Sequence, residues 1–67
     1  MDIKDVITID NDILGGTPVF TGTRVPIETL FDHIAEGVSI DEFLEDFPGV
    51  SKGQTDAVLA NRALFNA

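Results

Sequence analysis

The order of apolar and polar residues changes once along the chain, near residue 26. Before that point, Val6-Ile7-Thr8-Ile9 and Val19-Phe20-Thr21 are short runs of β-branched and aromatic side chains, which favour strands. Turn-forming residues separate and follow them: Asp10-Asn11-Asp12, Gly15-Gly16-Thr17-Pro18 and Gly22-Thr23. The pattern predicts a β arm over residues 1–25. Because a short hairpin is marginally stable in water, we expect the arm either to pack on the rest of the chain or to pair with a second chain.

Two helices are predicted between Pro26 and Pro48-Gly49, where the apolar spacing lengthens from two to about 3.6 residues. Pro26 suits the first position of the first helix, and Gly37 suits its end. The second helix is predicted to begin at Ser39, which has the spacing of a capping box with Glu42. The apolar positions that indicate the two helices are Ile27, Leu30, Phe31, Ile34 and Ala35, followed by Ile40, Phe43, Leu44 and Phe47.

A third helix is predicted to begin at Ser51, which has capping-box spacing with Gln54, and to run to about Phe65. When its residues are placed at 100° intervals, one arc holds Thr55, Val58, Leu59 and Arg62. If the Leu59 arc faces the core, the outward residues are Gln54, Ala57, Ala60, Asn61 and Leu64.

A β arm followed by three helices predicts a mainly α fold with one domain over residues 1–67, in which 1–25 form the arm and 26–67 the three helices. The short Pro48-Gly49-Val50 turn between the last two helices is typical of a helix-turn-helix unit, whose last helix lies in the major groove of DNA. A plain three-helix domain with a polar surface is the alternative interpretation.

Four residues are candidates for DNA contacts in such a unit. Gln54 and Asn61 carry amides that can pair bidentately with adenine, and Lys52 can reach a phosphate. Arg24, where the arm enters the first helix, can bind a phosphate or a partner carboxylate. A structural ion pair between Arg24 and a neighbouring acid is the alternative for that residue.

The charge distribution favours a protein partner. Twelve acids and four bases give a net charge of −8, which opposes indiscriminate attraction to nucleic acids or anionic membranes. Glu28, Asp32 and Glu36 lie four residues apart on one helical face, where like charges repel. A basic protein would offset this repulsion, and a solvated face is the alternative. The acids lack the spacing of a calcium loop, so we expect no metal site.

Composition excludes several classes of site. The chain has no Cys, Trp or Tyr, so thiol chemistry, cysteine-based zinc sites and iron–sulfur clusters are excluded. His33 lies between Thr29 and Glu36 on the polar side of its predicted helix, so we expect a surface residue. The run Gly15-Gly16-Thr17-Pro18 lacks the ending of a phosphate-binding loop and is interpreted as turns. A chain of 67 residues has little room for a substrate pocket of ~300 Å³, so we expect no enzymatic activity, catalytic residue or cofactor.

Size predicts self-association. For 67 residues, the burial of apolar surface and the loss of chain entropy nearly cancel, and no disulfide adds stability. We therefore expect a homodimer. The first five residues lack the basic and apolar regions of a secretory leader, and no apolar run is long enough to span a membrane, so we expect a cytoplasmic protein.

Four stretches carry a resemblance that covers nearly the whole chain: Ile7-Thr8-Ile9-Asp10, Gly15-Gly16-Thr17-Pro18-Val19, Gly22-Thr23-Arg24-Val25-Pro26 and Phe43-Leu44-Glu45-Asp46-Phe47-Pro48. They resemble the domain of unknown function 433 family, whose members are thought to be antitoxins of bacterial type II toxin–antitoxin pairs. The resemblance implies a homeodomain-like helix-turn-helix fold with a small β arm. It also implies a nuclease-like toxin of PIN-related fold as the frequent partner.

Two functions follow as hypotheses. In the first, the chain is an antitoxin-like module that binds a nuclease-like toxin, with operator DNA as a further candidate ligand. The residues expected to bind the protein partner are Glu28, Asp32 and Glu36. In the alternative, the chain is an acidic adaptor or structural protein that dimerises, binds a protein partner and never contacts DNA.

Overall fold

The chain forms four α-helices and a two-stranded antiparallel sheet over residues 2–64, the part described by the computed structural model. The helices are α1 (Ile3–Val6), α2 (Ile27–Ala35), α3 (Ile40–Asp46) and α4 (Lys52–Ala60). The strands are β1 (Ile7–Thr8) and β2 (Val19–Phe20), and single 3₁₀ turns cover Leu14–Gly16 and Arg62–Leu64. The prediction of a mainly α fold is confirmed.

The arm begins with one turn of helix, which the sequence pattern did not predict. The Asp2 carboxylate accepts a hydrogen bond from the Lys4 backbone N–H at 3.0 Å and caps α1. α1 ends at Val6, whose side chain is completely buried. A four-residue helix is too short to show an apolar repeat, and the β-branched Val6 favours a strand when only its neighbours are considered. The strand predicted over residues 6–9 is therefore wrong at both ends.

The two strands of the arm pair with Ile7 opposite Phe20 and Thr8 opposite Val19. On the other side of β2, the segment that leads into α2 adds a single bridge between Val19 and Pro26. β2 therefore lies inside this small sheet and β1 lies at its edge. Of the two outcomes expected for the arm, packing on the helices is the one observed, because Phe20 is fully buried in the core and α1 packs against α4.

The connection between the strands consists of turns, as predicted. Gly15 and Gly16 have φ angles of 65° and 93°, a region that residues with a Cβ rarely adopt. The 3₁₀ turn is closed by Thr17, whose hydroxyl donates to the Leu14 carbonyl at 2.9 Å.

α2 begins one residue later than predicted and ends where predicted. Pro26 is the N-cap of α2 and not its first residue, because its extended backbone bridges to β2. At the other end, Gly37 has a φ of 85° and its N–H donates to the Ile34 carbonyl at 3.0 Å. The N–H of Val38 donates to the His33 carbonyl at 2.9 Å, which completes a Schellman motif.

Serine caps start the next two helices, as predicted. The Ser39 hydroxyl accepts from the Glu42 N–H, and Ser51 forms a complete capping box with Gln54. α4 ends at Ala60, earlier than predicted, because Asn61 caps it with a non-helical backbone. The predicted end of this helix, Phe65, lies outside the described residues.

The core is one apolar cluster to which the arm and the three longer helices all contribute. α2 packs on α3 and α3 packs on α4. Thr55 is the one buried polar residue among those described, and its hydroxyl donates to the Lys52 carbonyl at 2.8 Å. The cluster consists of Val6, Phe20, Ile27, Leu30, Phe43, Val50 and Val58.

Candidate functional site

The acidic residues predicted on α2 form an exposed ladder. Glu28 lies in the first turn of α2, Asp32 follows one turn later, and Glu36 is the C-cap. All three residues are exposed, and none lies within 4.0 Å of a basic group in the part of the chain that the structure describes. Glu36 also faces the negative end of the helix dipole, where a cation would be favoured. The ladder therefore carries repulsion that no neighbouring positive charge relieves.

The neighbouring helix extends this negative surface. The acids of α3 are all exposed, and α3 packs on α2. Residues 26–50 contain seven carboxylates and no Lys or Arg, so the two helices present a field of one sign. The four acids that α3 contributes are Asp41, Glu42, Glu45 and Asp46.

His33 joins the two acidic helices, and its prediction as a surface residue is wrong. The side chain is half-buried, and its Nδ1 donates to the Thr29 carbonyl at 2.7 Å. The ring meets the Phe43 and Phe47 rings edge-on, with centroids 5.4 and 5.6 Å away. The helical wheel of α2 placed His33 on the polar side, but α3 covers that position with two aromatic rings. His33 thus fixes how α2 and α3 lie against each other.

Gln54 uses both ends of its amide inside the molecule. Its Oε1 accepts from the Ser51 N–H at 2.9 Å, which is half of the capping box of α4. Its Nε2 donates to the Thr21 carbonyl at 3.0 Å, which ties the turn after β2 to the first turn of α4. A glutamine that reads adenine needs both of these groups for the base. The two internal bonds fix the orientation of the amide, and one N–H and one lone pair of the oxygen remain for any contact with a base.

Two basic side chains lie near the same end of α4. Lys52 is exposed and its Nζ lies 3.3 Å from a carboxylate oxygen of Asp56, one turn along the helix. Arg24 lies in the turn that Gln54 holds through the Thr21 carbonyl, and its side chain is exposed. The structural ion pair considered for Arg24 does not form with any described acid. Arg24 is thus available to an outside anion, and Lys52 is engaged only in an exposed pair.

Asn61 lies at the opposite end of α4 from the other three predicted DNA contacts. It is half-buried, and its Nδ2 donates to the Ala57 carbonyl at 2.8 Å. A helix of nine residues is about 13 Å long, so Asn61 and Lys52 do not share one contact point. The structure places Lys52 and Gln54 in the first turn of α4, ties that turn to the segment just before Arg24, and leaves Asn61 at the other end of the helix.

Sequence reasoning missed an open apolar groove beside β1, with a volume of about 400 Å³. Leu64, predicted to point outward, is 67% exposed there, and Ile9 is 68% exposed. Arg62, predicted on the core arc, is exposed, and its guanidinium lies 5.7 Å from the centre of the Phe31 ring. The spacing of Ile7 and Ile9 indicates that both lie on one face of β1. That this face lies next to Leu64 depends on the tertiary structure. The groove is lined by Ile3, Lys4, Ile7, Ile9 and Leu64.

Residues 2–64 show neither a metal-binding cluster nor a membrane-spanning helix. No group of three or more His, Asp or Glu side chains there is placed to hold a metal ion. None of the helices in this range is both long and apolar enough to cross a membrane.

Three comparisons place the chain among known proteins. A family model described as "Protein of unknown function (DUF433)" matches residues 7–60. The "Uncharacterized protein y4eO" of Sinorhizobium fredii (strain NBRC 101917 / NGR234) is 43% identical over 47 residues, which cover 70% of this chain and 21% of that protein. The chain thus spans about a fifth of this curated relative.

A crystal structure of a DUF433 member protein from Anabaena variabilis ATCC 29413 has the same fold. The two chains superpose with a TM-score of 0.79 at 24% sequence identity, covering 92% of this chain and 61% of the other. The family match spans β1 to the end of α4, which includes both strands and the three longer helices. The resemblance in the sequence motifs is therefore confirmed, and this chain belongs to the DUF433 family.

Proposed function

We propose that this chain is an antitoxin-like binding module that neutralises a nuclease-like toxin through the acidic face of α2. The observation that carries the proposal is the exposed ladder of Glu28, Asp32 and Glu36, which has no basic neighbour among the described residues. A nuclease surface that accepts RNA or DNA is expected to be positive, so its charge complements this ladder. Binding would also relieve the repulsion between carboxylates one turn apart.

The proposal includes a homeodomain-like arrangement of α2, α3 and α4 in a cytoplasmic protein. It is supported by the short turn at Pro48-Gly49 between α3 and α4 and by the packing of α3 on both of its neighbours. The His33 contacts with Phe43 and Phe47 hold the α2 ladder in a fixed position relative to α3. A fixed ladder is pre-organised for a partner, which reduces the entropy lost on binding.

Co-expression with the protein encoded by the adjacent reading frame tests the proposal. If that protein is a nuclease-like toxin, its expression alone should stop growth, and the wild-type chain should restore growth. The variant Glu28→Gln/Asp32→Asn/Glu36→Gln should protect poorly, because it has lost the complementary charges. Equal protection by the wild type and this variant, at equal protein levels, would reject the acidic face as the binding surface.

A matched variant controls for net charge. Glu42→Gln/Glu45→Gln/Asp46→Asn removes three charges from α3, so both variants change the formal net charge from −8 to −5. If the position of the charges on α2 matters, this control protects as the wild type does. Equal loss in both variants would mean that net charge acts without a defined surface.

Operator DNA is a second candidate ligand, favoured by the exposed Arg24 near the Lys52 end of α4. Because the amides of Gln54 and Asn61 already have partners, phosphate contact by the two basic residues is the better supported mode. Lys52→Ala should then weaken all DNA sequences alike and reduce the salt slope by about one unit.

A gel-shift titration at low salt, with and without the neighbouring protein, measures this binding. If Gln54 reads a base after all, Gln54→Ala loses sequence preference while Lys52→Ala does not. If no shift of the chain's own promoter occurs in either condition, DNA is not a ligand. The toxin-binding module and the acidic adaptor then both remain, and the co-expression test separates them.

A further inference from the structure

The turn that carries Arg24 is closed by the side chain of the residue before it. The Thr23 backbone N–H donates to the Phe20 carbonyl at 3.0 Å, and the Thr23 hydroxyl donates to the same carbonyl at 2.8 Å. The hydroxyl oxygen also accepts a hydrogen bond from the Val25 N–H at 3.1 Å. This last bond closes a ring that contains the backbone of Arg24, so it restricts both backbone dihedral angles of that residue.

The bond to Val25 is what the Thr23 hydroxyl adds to the turn. The turn from Phe20 to Thr23 is already closed by a backbone bond, so it does not depend on the hydroxyl. The Val25 N–H, by contrast, lies on the far side of Arg24 from Thr23. The hydroxyl therefore acts mainly on the backbone of Arg24.

Two contacts fix this turn relative to the start of α4. The Thr21 carbonyl accepts the hydrogen bond from Nε2 of Gln54, in the first turn of the helix. The Thr23 methyl group lies over Gly49, in the connection between α3 and α4, where an added Cβ would be 3.3 Å from it. Contacts that close leave little room for movement. The backbone from which Arg24 extends is thus held in place beside α4.

The Arg24 side chain itself is exposed and has no acid of residues 2–64 within 4.0 Å. A guanidinium binds a phosphate best with two parallel hydrogen bonds, which demand a defined orientation. A backbone that is already fixed reduces the entropy lost when the side chain takes up that orientation. The turn thus combines a fixed base with a side chain that is available to an anion.

We infer that Thr23 is a positioning residue, whose hydroxyl fixes the backbone of Arg24 for contact with a DNA phosphate. The inference rests on the DNA contact of Arg24 proposed above and adds the residue that prepares it. The effect of the Thr23 hydroxyl on DNA binding then passes through Arg24.

Two substitutions of Thr23 separate its hydroxyl from its methyl group. Thr23→Val keeps the shape of the side chain and loses both hydroxyl bonds, whereas Thr23→Ser keeps the bonds and loses the methyl contact with Gly49. Thr23→Val should weaken binding of a labelled duplex of the chain's own promoter about threefold at low salt, and Thr23→Ser should bind as the wild type does. If Thr23→Val binds as tightly as the wild type, or Thr23→Ser as weakly as Thr23→Val, the inference is overturned.

A double-mutant cycle with Arg24 separates positioning from a merely structural role. Arg24→Ala should weaken binding of the same duplex about tenfold or more, and Thr23→Val should then cause no further loss. An equal loss from Thr23→Val in both backgrounds would mean that Thr23 does not act through Arg24. If Arg24→Ala binds as tightly as the wild type, or the wild type does not bind, the proposed DNA contact fails and the inference fails with it. If only Arg24→Ala weakens binding, the inference alone is wrong.

Thr17→Val controls for the stability of the arm. Thr17 is also half-buried, and its hydroxyl donates to a carbonyl in the other turn of the arm, that of Leu14. Thr17→Val should therefore lower the thermal midpoint, as Thr23→Val does, but leave the affinity for the duplex unchanged. If Thr17→Val weakens binding as much as Thr23→Val does, a less stable arm explains both losses and the inference is rejected.

Discussion

Among single residues, Gln54 makes the side-chain hydrogen bond that spans the longest stretch of the described chain. One side of its amide completes the cap of α4, and the other holds the turn after β2. The capping role follows from the spacing of Ser51 and Gln54, which is a local pattern. The bond to Thr21 spans 33 positions, so no local pattern indicates it. Both bonds make Gln54 a structural residue whether or not it also contacts DNA.

Two substitutions separate the two bonds of Gln54. Gln54→Ala loses both bonds and should lower the free energy of unfolding by about 1–2 kcal/mol. Gln54→Glu keeps an oxygen for the Ser51 N–H and loses only the donor to Thr21, so its loss should be about half as large. Urea denaturation at pH 7 measures both values.

Lys52→Ala is the control for the Gln54 series. It removes an exposed ion pair one turn apart, which is worth about 0.5 kcal/mol or less. A Gln54→Ala variant no less stable than Lys52→Ala would contradict the two-bond role.

Among the secondary-structure elements, the packing of α2 on α3 depends on an aromatic cluster that includes a histidine. The Phe43 and Phe47 rings lie 4.9 Å apart, and His33 meets each of them edge-on. Such contacts are favourable because the positive edge of one ring meets the negative face of another. The two acidic helices are thereby held together despite their like charges.

Replacement of His33 tests this packing. His33→Ala removes two ring contacts and should lower the free energy of unfolding by about 1–2 kcal/mol, measured by urea denaturation. Glu36→Ala, at the exposed C-cap of the same helix, should change it by less than about 0.5 kcal/mol. If the two variants are equally stable, the ring contacts of His33 do not stabilise the packing of α2 on α3.

The elements that sequence patterns predicted well are those fixed by local chemistry. The starts of α3 and α4 follow from Ser39 and Ser51, because a cap is made by residues three positions apart. The end of α2 follows from Gly37, which adopts a positive φ. α1 also has a local cap in Asp2, but four residues are too few to show an apolar repeat, and its buried Val6 belongs to a core that the rest of the chain builds.

The two candidate surfaces, the α2 ladder and the groove beside β1, also differ in how far the sequence predicts them. The α2 ladder follows directly from the spacing of Glu28, Asp32 and Glu36, which puts them on one face of the helix, and all three are exposed. The groove beside β1 brings Ile9 and Leu64 together from opposite ends of the described chain, so the sequence alone does not reveal it. Patterns thus identify faces of single elements, whereas surfaces shared by distant segments need the tertiary structure.

For the whole molecule, the small core favours association with a partner, whereas the net charge opposes association between copies of the chain. The radius of gyration is 11.2 Å, close to the ~11 Å expected for a compact domain of this length. One copy therefore has ordinary compactness with a small core, and a partner would add stability by mass action. The net charge of −8 keeps copies apart unless a specific contact forms, and it attracts basic proteins.

The rate at which the chain associates with the protein of the adjacent reading frame tests directly whether the acidic face of α2 is the binding surface. Stopped-flow association should be fast at 20 mM salt and slow down steeply at 300 mM, because charge complementarity mainly raises the association rate. Glu28→Gln/Asp32→Asn/Glu36→Gln should associate roughly tenfold more slowly at low salt and lose most of the salt dependence. The α3 variant Glu42→Gln/Glu45→Gln/Asp46→Asn should keep both. If the folded α2 variant associates as fast as the wild type at both salt concentrations, the acidic face of α2 is a solvated surface and the proposed function is wrong.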